Sequence, residues 1–474
     1  MSSPIKFGTD GWRGLIADDF TFANVRICAQ AIALYLKDAG LAERGLVIGF
    51  DTRFGSEEFA EAVAEIAAGN GIHVYLCDHP APTPVIGYSI LDLKAGGSAV
   101  ITASHNPRQW NGFKFRPEYA GSAPPEVLAQ IEGYIPGIAE GAAVPRLPFA
   151  EAQASGLVQL FDPAAAYRSQ IARLIDLDRL RAAGLRVVVD SMHGAASGYI
   201  AGLLSGGKTR VLELRSERNP YFPGMHNPEP IARNLQPLAE AIRLETADVG
   251  LATDGDGDRL GLMDENGNFI NQLEAFALLT YYMLEVRGLR GPIVKSVTTT
   301  QMVKRLGELY GVPVYETGVG FKYLGPKMTE TDALIAGEES GGYAFRGHLP
   351  ERDGVLSALY FLDLMASRGK KPSALLAELF AKVGPHYYDR IDIELAPEQA
   401  LAVRERVAAL QPSEIAGRKV LATDTTDGFR YLLDEGWVLI RFSGTEPLVR
   451  IYTELSDREL VPQVLQDCRR LAGI

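Results

Sequence analysis

Short apolar runs alternate with stretches of helical period through the first 383 residues, and the alternation restarts twice. Residues 46–51 (LVIGFD) read as a buried strand. Residues 56–68 place apolar side chains at helical spacing, with Ser56 as candidate N-cap. Residues 72–77 and 98–102 are further strands. The pattern begins again at 185–190, and a helix and then a helix-plus-strand unit carry it to Ala252. It begins a third time at 292–295, with later strands at 312–315 and 333–336. Strands separated by helices predict parallel sheets covered on both faces. Three tandem α/β/α units of roughly 100 residues each are expected, with mostly parallel, mixed sheets and no internal sequence repeat.

Beyond residue 383 the period changes. Residues 387–395 (YYDRIDIEL) alternate as a half-exposed strand does. A helix at 398–410, strands near 420, 437–442 and 448–454, and a helix at 458–471 predict an α+β domain with an antiparallel sheet. Expected domains are 1–150, 151–264, 265–383 and 384–474, joined near 141–154, 265–267 and 384–386.

The 474 residues are 47% hydrophobic and 22% charged, as in a globular chain with ample cores. A net charge of −12 argues against sequence-independent nucleic-acid binding. An anionic ligand would then need particular Arg and Lys residues. Three widely spaced cysteines without a CxxC predict reduced thiols and a cytoplasmic location. The N-terminus shows no signal-peptide core. No apolar run approaches the ~18 residues of a membrane span, so no membrane partner is expected.

Polar loops follow four of the strands. Asp254-Gly255-Asp256-Gly257-Asp258 sets three carboxylates around two glycines, a pattern that a hard divalent cation relieves. Arg259 follows and suits a phosphate beside the metal. Counted from Asp254, Glu265 falls at the twelfth EF-hand position, but Arg259 stands where the sixth must be glycine. The strand-like flanks also oppose an EF-hand, and the short ligand set points to magnesium. Ser104-His105-Asn106-Pro107 offers a nucleophilic hydroxyl, yet as a bare tetrapeptide it reads as a turn. Lys114 reads equally as a solvated strand lysine. Glu338 and Ser340, among Gly337, Gly341 and Gly342, suit sugar hydroxyls or a glycine-rich turn. Arg441 with Ser443, Gly444 and Thr445 suits a phosphate or a hairpin turn. Ligands gather beyond the carboxyl ends of α/β strands, so one such loop per domain predicts a single central cleft.

Together these segments resemble the α-D-phosphohexomutases, the family of phosphoglucomutase and phosphomannomutase. The likeness runs from Gly8-Thr9-Asp10-Gly11-Trp12-Arg13 through Asp51-Thr52-Arg53, Pro82-Thr83-Pro84, TASHNP (102–107), DGDGDR (254–259), GEESGG (337–342) and RFSGTEP (441–447). It implies that Ser104 is the phosphorylated serine and that Asp254, Asp256 and Asp258 hold Mg2+ together with an oxygen of that phosphoserine. Arg13, Arg259 and Lys114 would lie near the transferring group, with Lys114 an acid or base and His105 positioning the serine loop. Glu338 and Ser340 would grip the sugar. Arg441, Ser443, Gly444 and Thr445 would cradle the phosphate that is not reacting. The implied reaction interconverts hexose 1-phosphate and hexose 6-phosphate through a 1,6-bisphosphate, with glucose 1,6-bisphosphate as activator. The implied partner is a small phosphosugar, and the protein a monomer or homodimer.

Some relatives carry histidine where this chain has Gly342, which makes Lys322 the candidate for that proton transfer. Gly-Phe-Lys at 320–322, the Glu338-Glu339 pair and Arg352-Asp353-Gly354 are similar to glucose-type members. Glucose is therefore expected first and mannose second. Glu339, where glucosamine-type members tend to have glutamine, makes phosphoglucosamine mutase the alternative. A phosphoserine-dependent sugar phosphatase or phosphotransferase and a non-catalytic sensor are further alternatives.

Overall fold

The computed structural model describes residues 5–8, 10–442 and 448–474. The first sheet has six strands in the order Trp12–Leu15, Trp110–Pro117, Gly97–Ile101, Leu46–Phe50, Val74–Cys77 and Val158–Phe161. Its last four strands run parallel. Leu46–Phe50 is buried along its whole length, which explains its unbroken apolar run. The sixth strand lies past residue 150, so this sheet draws on sequence beyond the expected boundary. Ser56 is the first residue of helix Ser56–Gly69 rather than its N-cap. Gly55 takes the cap position in the left-handed region, and the Ser56 hydroxyl turns away to donate to Asp51 Oδ1.

The second sheet runs Phe269–Ile270, Leu260–Met263, Val249–Thr253, Arg186–Asp190, Arg210–Leu214. The third runs Val314–Thr317, Ile293–Ser296, Ile335–Gly337, Tyr343–Phe345. All three sheets share one device. A parallel strand ends, the chain turns, and the next strand returns antiparallel beside it. Gly97–Ile101 pairs back with Trp110–Pro117, Val249–Thr253 with Leu260–Met263, and Ile335–Gly337 with Tyr343–Phe345. Three of the polar loops singled out above, the serine, aspartate and Glu338–Gly342 loops, are the turns of these hairpins.

The C-terminal sheet is antiparallel throughout, in the order Tyr387–Glu394, Leu448–Leu455, Gly436–Phe442, Phe429–Leu433, Arg418–Asp424, Glu414–Ile415. Its central hairpin joins Gly436–Phe442 to Leu448–Leu455. Ser443, Gly444 and Thr445, the expected phosphate cradle, lie outside the described residues.

One apolar core runs through the first three units, from Val47 and Val85 through Val187 and Leu251 to Phe276 and Leu359. The fourth has its own, around Val449, Ile451, Val464 and Leu465. A small apolar contact of Val297 with Trp437, Leu439 and Tyr452 joins it to the third unit. Among the described residues no helix is long and apolar enough to cross a membrane.

Candidate active site

The buried strand Gly97–Ile101 delivers the chain into the serine loop. Thr102 Oγ1 donates to Asp51 Oδ2 (2.6 Å) and accepts from the Ser104 backbone N–H (2.8 Å). Ser104 is buried and holds φ at +51°, a left-handed conformation that costs an L-residue about 1–2 kcal/mol. Arg53, wholly buried, supports it. Its guanidinium donates to four backbone carbonyls of the loop: Ser104 (2.5 Å), Asn106 (2.6 Å), Pro107 and Trp110 (both 3.0 Å). Ser104 Oγ donates to Asp254 Oδ2 at 2.8 Å and lies 3.3 Å from His105 Nδ1. Burial, then Arg259 and Arg13, hold the His105 imidazole well below its usual pKa, so it is neutral near pH 7. Arg13 Nη1 donates to Asn106 Oδ1 (2.5 Å), which puts its guanidinium on the same loop.

Asp254, Asp256 and Asp258 are fully buried, and one oxygen from each lies within 4.8 Å of the others. Asp254 Oδ1 accepts the backbone N–H groups of Asp258 (3.0 Å) and Arg259 (3.1 Å). Asp256 Oδ2 accepts from Thr83 Oγ1 (2.8 Å) and Lys114 Nζ (2.9 Å). Asp256 Oδ1 and both Asp258 oxygens accept no hydrogen bond from the described residues. Such acceptors are costly in a protein interior, and a divalent cation is the group whose chemistry satisfies them. The three residues fit a metal on that observation. Burial, then Asp256 and Asp258, push the Asp254 carboxyl well above the usual range. Burial also lifts Asp258, to about 6. On Asp256 burial acts the same way, but Lys114 outweighs it and holds the carboxyl low. Gly255 lets this loop meet the serine loop backbone to backbone, since a Cβ there would lie 2.5 Å from the Ser104 carbonyl oxygen.

The cations reaching this cluster come from three directions. Lys114 is buried, not solvated, and pairs with Asp10 (2.7 Å) and Asp256 (2.9 Å), with Asp258 at 3.8 Å. Burial opposes its charge, but Asp10 and Asp256 outweigh burial and keep the ammonium protonated. Arg259 pairs with Glu229 (3.1 Å) and approaches Asp254 (3.9 Å). Arg352 reaches Asp258 (3.1 Å) and Asp10 (2.7 Å). Neither Asp10 nor the pair formed by buried Arg116 and Glu351 was singled out from the sequence. A signal existed: Lys114 and Arg116 are two residues apart on one strand, so both point to one face of a buried sheet.

Glu338 and Ser340 come together as expected, with Ser340 Oγ donating to Glu338 Oε1 (2.8 Å). Glu339 faces elsewhere. Its carboxylate accepts from Tyr388 Oη (2.6 Å) and Arg390 Nη1 (2.8 Å) of the fourth unit, so it docks that unit rather than facing a sugar. Lys322 lies in the first turn of helix Phe321–Thr331, its Nζ 5.2 Å from the Tyr323 ring centre. It is not among the cations paired with the aspartates. Arg441 Nε donates to Asp427 Oδ1 (2.9 Å), and Asp427 Oδ2 accepts the Val319 N–H (2.8 Å). Through that carboxylate Arg441 is tied to the segment that precedes Lys322.

A hydroxyl beside a metal-competent carboxylate trio, with a buried ammonium and guanidinium groups around it, is equipped to carry a phosphoryl group. Comparison with known proteins bears on that chemistry. Family models for phosphoglucomutase/phosphomannomutase match in order: α/β/α domain I over residues 4–141, II over 165–267, III over 272–383, and the C-terminal domain over 397–471. A phosphoglucomutase/phosphomannomutase of Thermococcus kodakarensis is 31% identical over 97% of this chain and 96% of its own length. A phosphoglucosamine mutase of Carboxydothermus hydrogenoformans is 33% identical over 97% of each. A crystal structure from Thermus thermophilus, assigned as a phosphomannomutase, superposes with a TM-score of 0.87 at 36% identity and covers all of both chains. With all four domains matched in order and relatives aligned over nearly the whole length, the chain belongs to the phosphoglucomutase/phosphomannomutase family, the α-D-phosphohexomutases.

Proposed function

We propose that this protein interconverts hexose 1-phosphates and hexose 6-phosphates, with glucose preferred and mannose as the second sugar. The route is a phosphoserine at Ser104 and a hexose 1,6-bisphosphate, with glucose 1,6-bisphosphate as activator. The observation that carries the reading is the 2.8 Å contact between Ser104 Oγ and Asp254, one of three buried aspartates among which Asp256 Oδ1 and both Asp258 oxygens accept no hydrogen bond from the described residues. Asp254, Asp256 and Asp258 would hold Mg2+, which supplies charge neutralisation at the phosphoryl group.

In the forward transfer a sugar hydroxyl oxygen bonds to phosphorus and gives its proton to a base, for which Lys322 is the candidate, while the bond from phosphorus to Ser104 Oγ breaks. Lys114, kept protonated by Asp10 and Asp256, is the acid for the departing serine oxygen. In the return transfer Ser104 attacks and its proton must leave. Lys114, left neutral by the forward step, takes it back, and the His105 imidazole, 3.3 Å from Ser104 Oγ, orients the hydroxyl. Arg13 and Arg259 add fixed positive charge. Glu338 with Ser340 orients the sugar, and Arg441 with Ser443, Gly444 and Thr445 receives the phosphate that is not reacting. Lys322 remains the candidate for proton exchange at the far hydroxyl. Three buried free thiols, Cys28, Cys77 and Cys468, suit a reducing cytoplasm.

Glucosamine phosphate is the second reading, supported by the likeness to a phosphoglucosamine mutase. Glu339, one residue behind the glucose preference, is engaged by Tyr388 and Arg390, so the glucose choice rests on its other supports. The test is a coupled assay across glucose, mannose and glucosamine 1-phosphates with Mg2+ and a trace of bisphosphate. Turnover of glucose 1-phosphate that disappears in Ser104→Ala is expected, as is a gain of about 80 Da on Ser104, one phosphoryl group. Conversion of glucosamine 1-phosphate alone would overturn the sugar preference. Phosphate release without isomerisation would indicate a phosphatase.

A further inference from the structure

We propose that Arg352 is the residue that fixes the sugar loop on the metal loop, and that its side chain is the reason the sugar loop ends in glycine. The proposal rests on the phosphohexomutase reading for its functional half and on geometry alone for its structural half. Arg352 is buried just ahead of helix Gly354–Arg368, and one guanidinium serves four carboxylates from three domains. Asp10 of the first lies at 2.7 Å, Asp258 of the second at 3.1 Å, and Glu351 and Glu338 of the third at 3.0 and 3.3 Å. The fork thus spans a metal-loop aspartate and the sugar-loop glutamate, and it sets the distance between them. A guanidinium can do this because its donors are rigidly splayed, where an ammonium is a single point of charge.

Gly342 shows how tightly the arginine is placed. A Cβ at that position would lie 2.2 Å from Arg352 Cδ and 2.5 Å from Cγ. Those atoms belong to the middle of the side chain, and four carboxylates anchor its far end, so it cannot swing aside. Gly342 does not have a positive φ. Glycine is needed there for space and not for backbone conformation. The volume that a larger residue at the end of the sugar loop would use is filled from the opposite side by Arg352.

Arg352 is a positioning residue, so its loss must show in how binding and turnover divide. Arg352→Lys keeps a charge near Asp10 and Asp258 but cannot also reach Glu338. It is expected to raise KM for the hexose phosphate about 10-fold or more with kcat within about 3-fold, the mark of a weakened contact made equally in the ground and transition states. Arg352→Ala should lower kcat about 100-fold as well, since Asp258 loses its restraint. A melting cycle reads the same geometry without turnover. Gly342→Ala should lower the melting temperature by about 3 °C or more in the wild-type background, and by about 1 °C or less in Arg352→Ala. An equal penalty in both backgrounds overturns the packing claim, and an unchanged KM in Arg352→Lys overturns the positioning claim. If the wild type converts no hexose phosphate, the mutase reading fails and the melting cycle alone decides the place of Arg352. If Arg352→Ala does not fold, Arg352→Ser, which also lacks the Cγ and Cδ that crowd a Gly342 Cβ, serves as its background in the cycle.

Discussion

A serine held at φ +51° carries a conformational cost that glycine in its place would not. The cost is borne because Thr102 and Arg53 fix the backbone on both sides, and the reward is an Oγ aimed at Asp254. Two substitutions separate strain from chemistry. Ser104→Ala and Ser104→Gly should both abolish phosphoryl transfer. Ser104→Gly should nevertheless be the more stable by about 1 kcal/mol, because only it escapes the left-handed penalty. Denaturant titration of the two variants checks this, and equal stability would mean that the loop relaxes once the hydroxyl is gone. Asp258 invites a similar separation. Burial raises its carboxyl to about 6, so at pH 8 it is ionised against the preference of its surroundings. Asp258→Asn should therefore melt about 2 °C higher than the wild type in metal-free buffer at pH 8. It should also gain nothing from added Mg2+, whereas the wild type should gain. A lower metal-free melting point would show that the pairing with Arg352 outweighs burial.

At the scale of elements, the serine, aspartate and sugar loops are turns of antiparallel hairpins built onto parallel strands. Reading Ser104-His105-Asn106-Pro107 as a turn and reading it as a site describe the same residues. A hairpin ladder makes the turn rigid enough to hold a reacting group. The inner parallel strands of the first three sheets were legible in the sequence because they are apolar on both faces, as in Leu46–Phe50, whereas the edge strands Trp12–Leu15, Val158–Phe161, Arg210–Leu214, Phe269–Ile270 and Tyr343–Phe345 were not foreseen. The strand Phe429–Leu433 of the last sheet was not foreseen, since Arg430 breaks the apolar pattern while serving the joint between domains. The aspartates and serine were legible as motifs. Arg352 was noted only within a short similar run, and Asp10 only within a motif. Their roles depend on contacts with residues up to 342 positions away, which no local pattern encodes. Where two of the hairpins meet, Gly255 lies against the Ser104 carbonyl. Gly255→Ala should part the two loops, lowering stability by about 1–3 kcal/mol as overpacking does. Mg2+ affinity, measured by calorimetry, should fall about 10-fold or more. Unchanged metal affinity would mean that the metal loop does not depend on the serine loop for its shape.

For the whole molecule, the fourth domain is set apart by its own core and joined to the third by a small apolar contact and by charged groups. Arg430 forks onto Glu316 with two 3.0 Å bonds, Lys295 reaches the same carboxylate at 2.9 Å, and Arg390 and Tyr388 hold Glu339. Such a joint suits a domain that closes over a ligand and reopens. It also titrates. Burial would raise the Glu316 carboxyl, but Lys295 and Arg430 outweigh it and hold it far below its ordinary value of 4.5. The two partners do not gain equally: burial pulls the Lys295 ammonium down despite Glu316, while Arg430 is raised. A carboxyl depressed in the docked state stabilises docking at pH values above its free value. That contribution is lost as pH falls below about 4.5 toward the depressed value. Trp437 reports on it, because it is buried at the joint and donates Nε1–H to Glu454, which also accepts the Gln301 N–H from the third domain. The emission of Trp437, measured against Trp437→Phe, should mark undocking at a lower temperature in Glu316→Gln than in the wild type at pH 7. The gap between the two should shrink as pH falls from about 4.5 to 3, because the wild-type carboxylate is then lost as well. A gap that stays constant across that range would show that Glu316 contributes through shape and hydrogen bonding, and that charge does not hold the fourth domain in place.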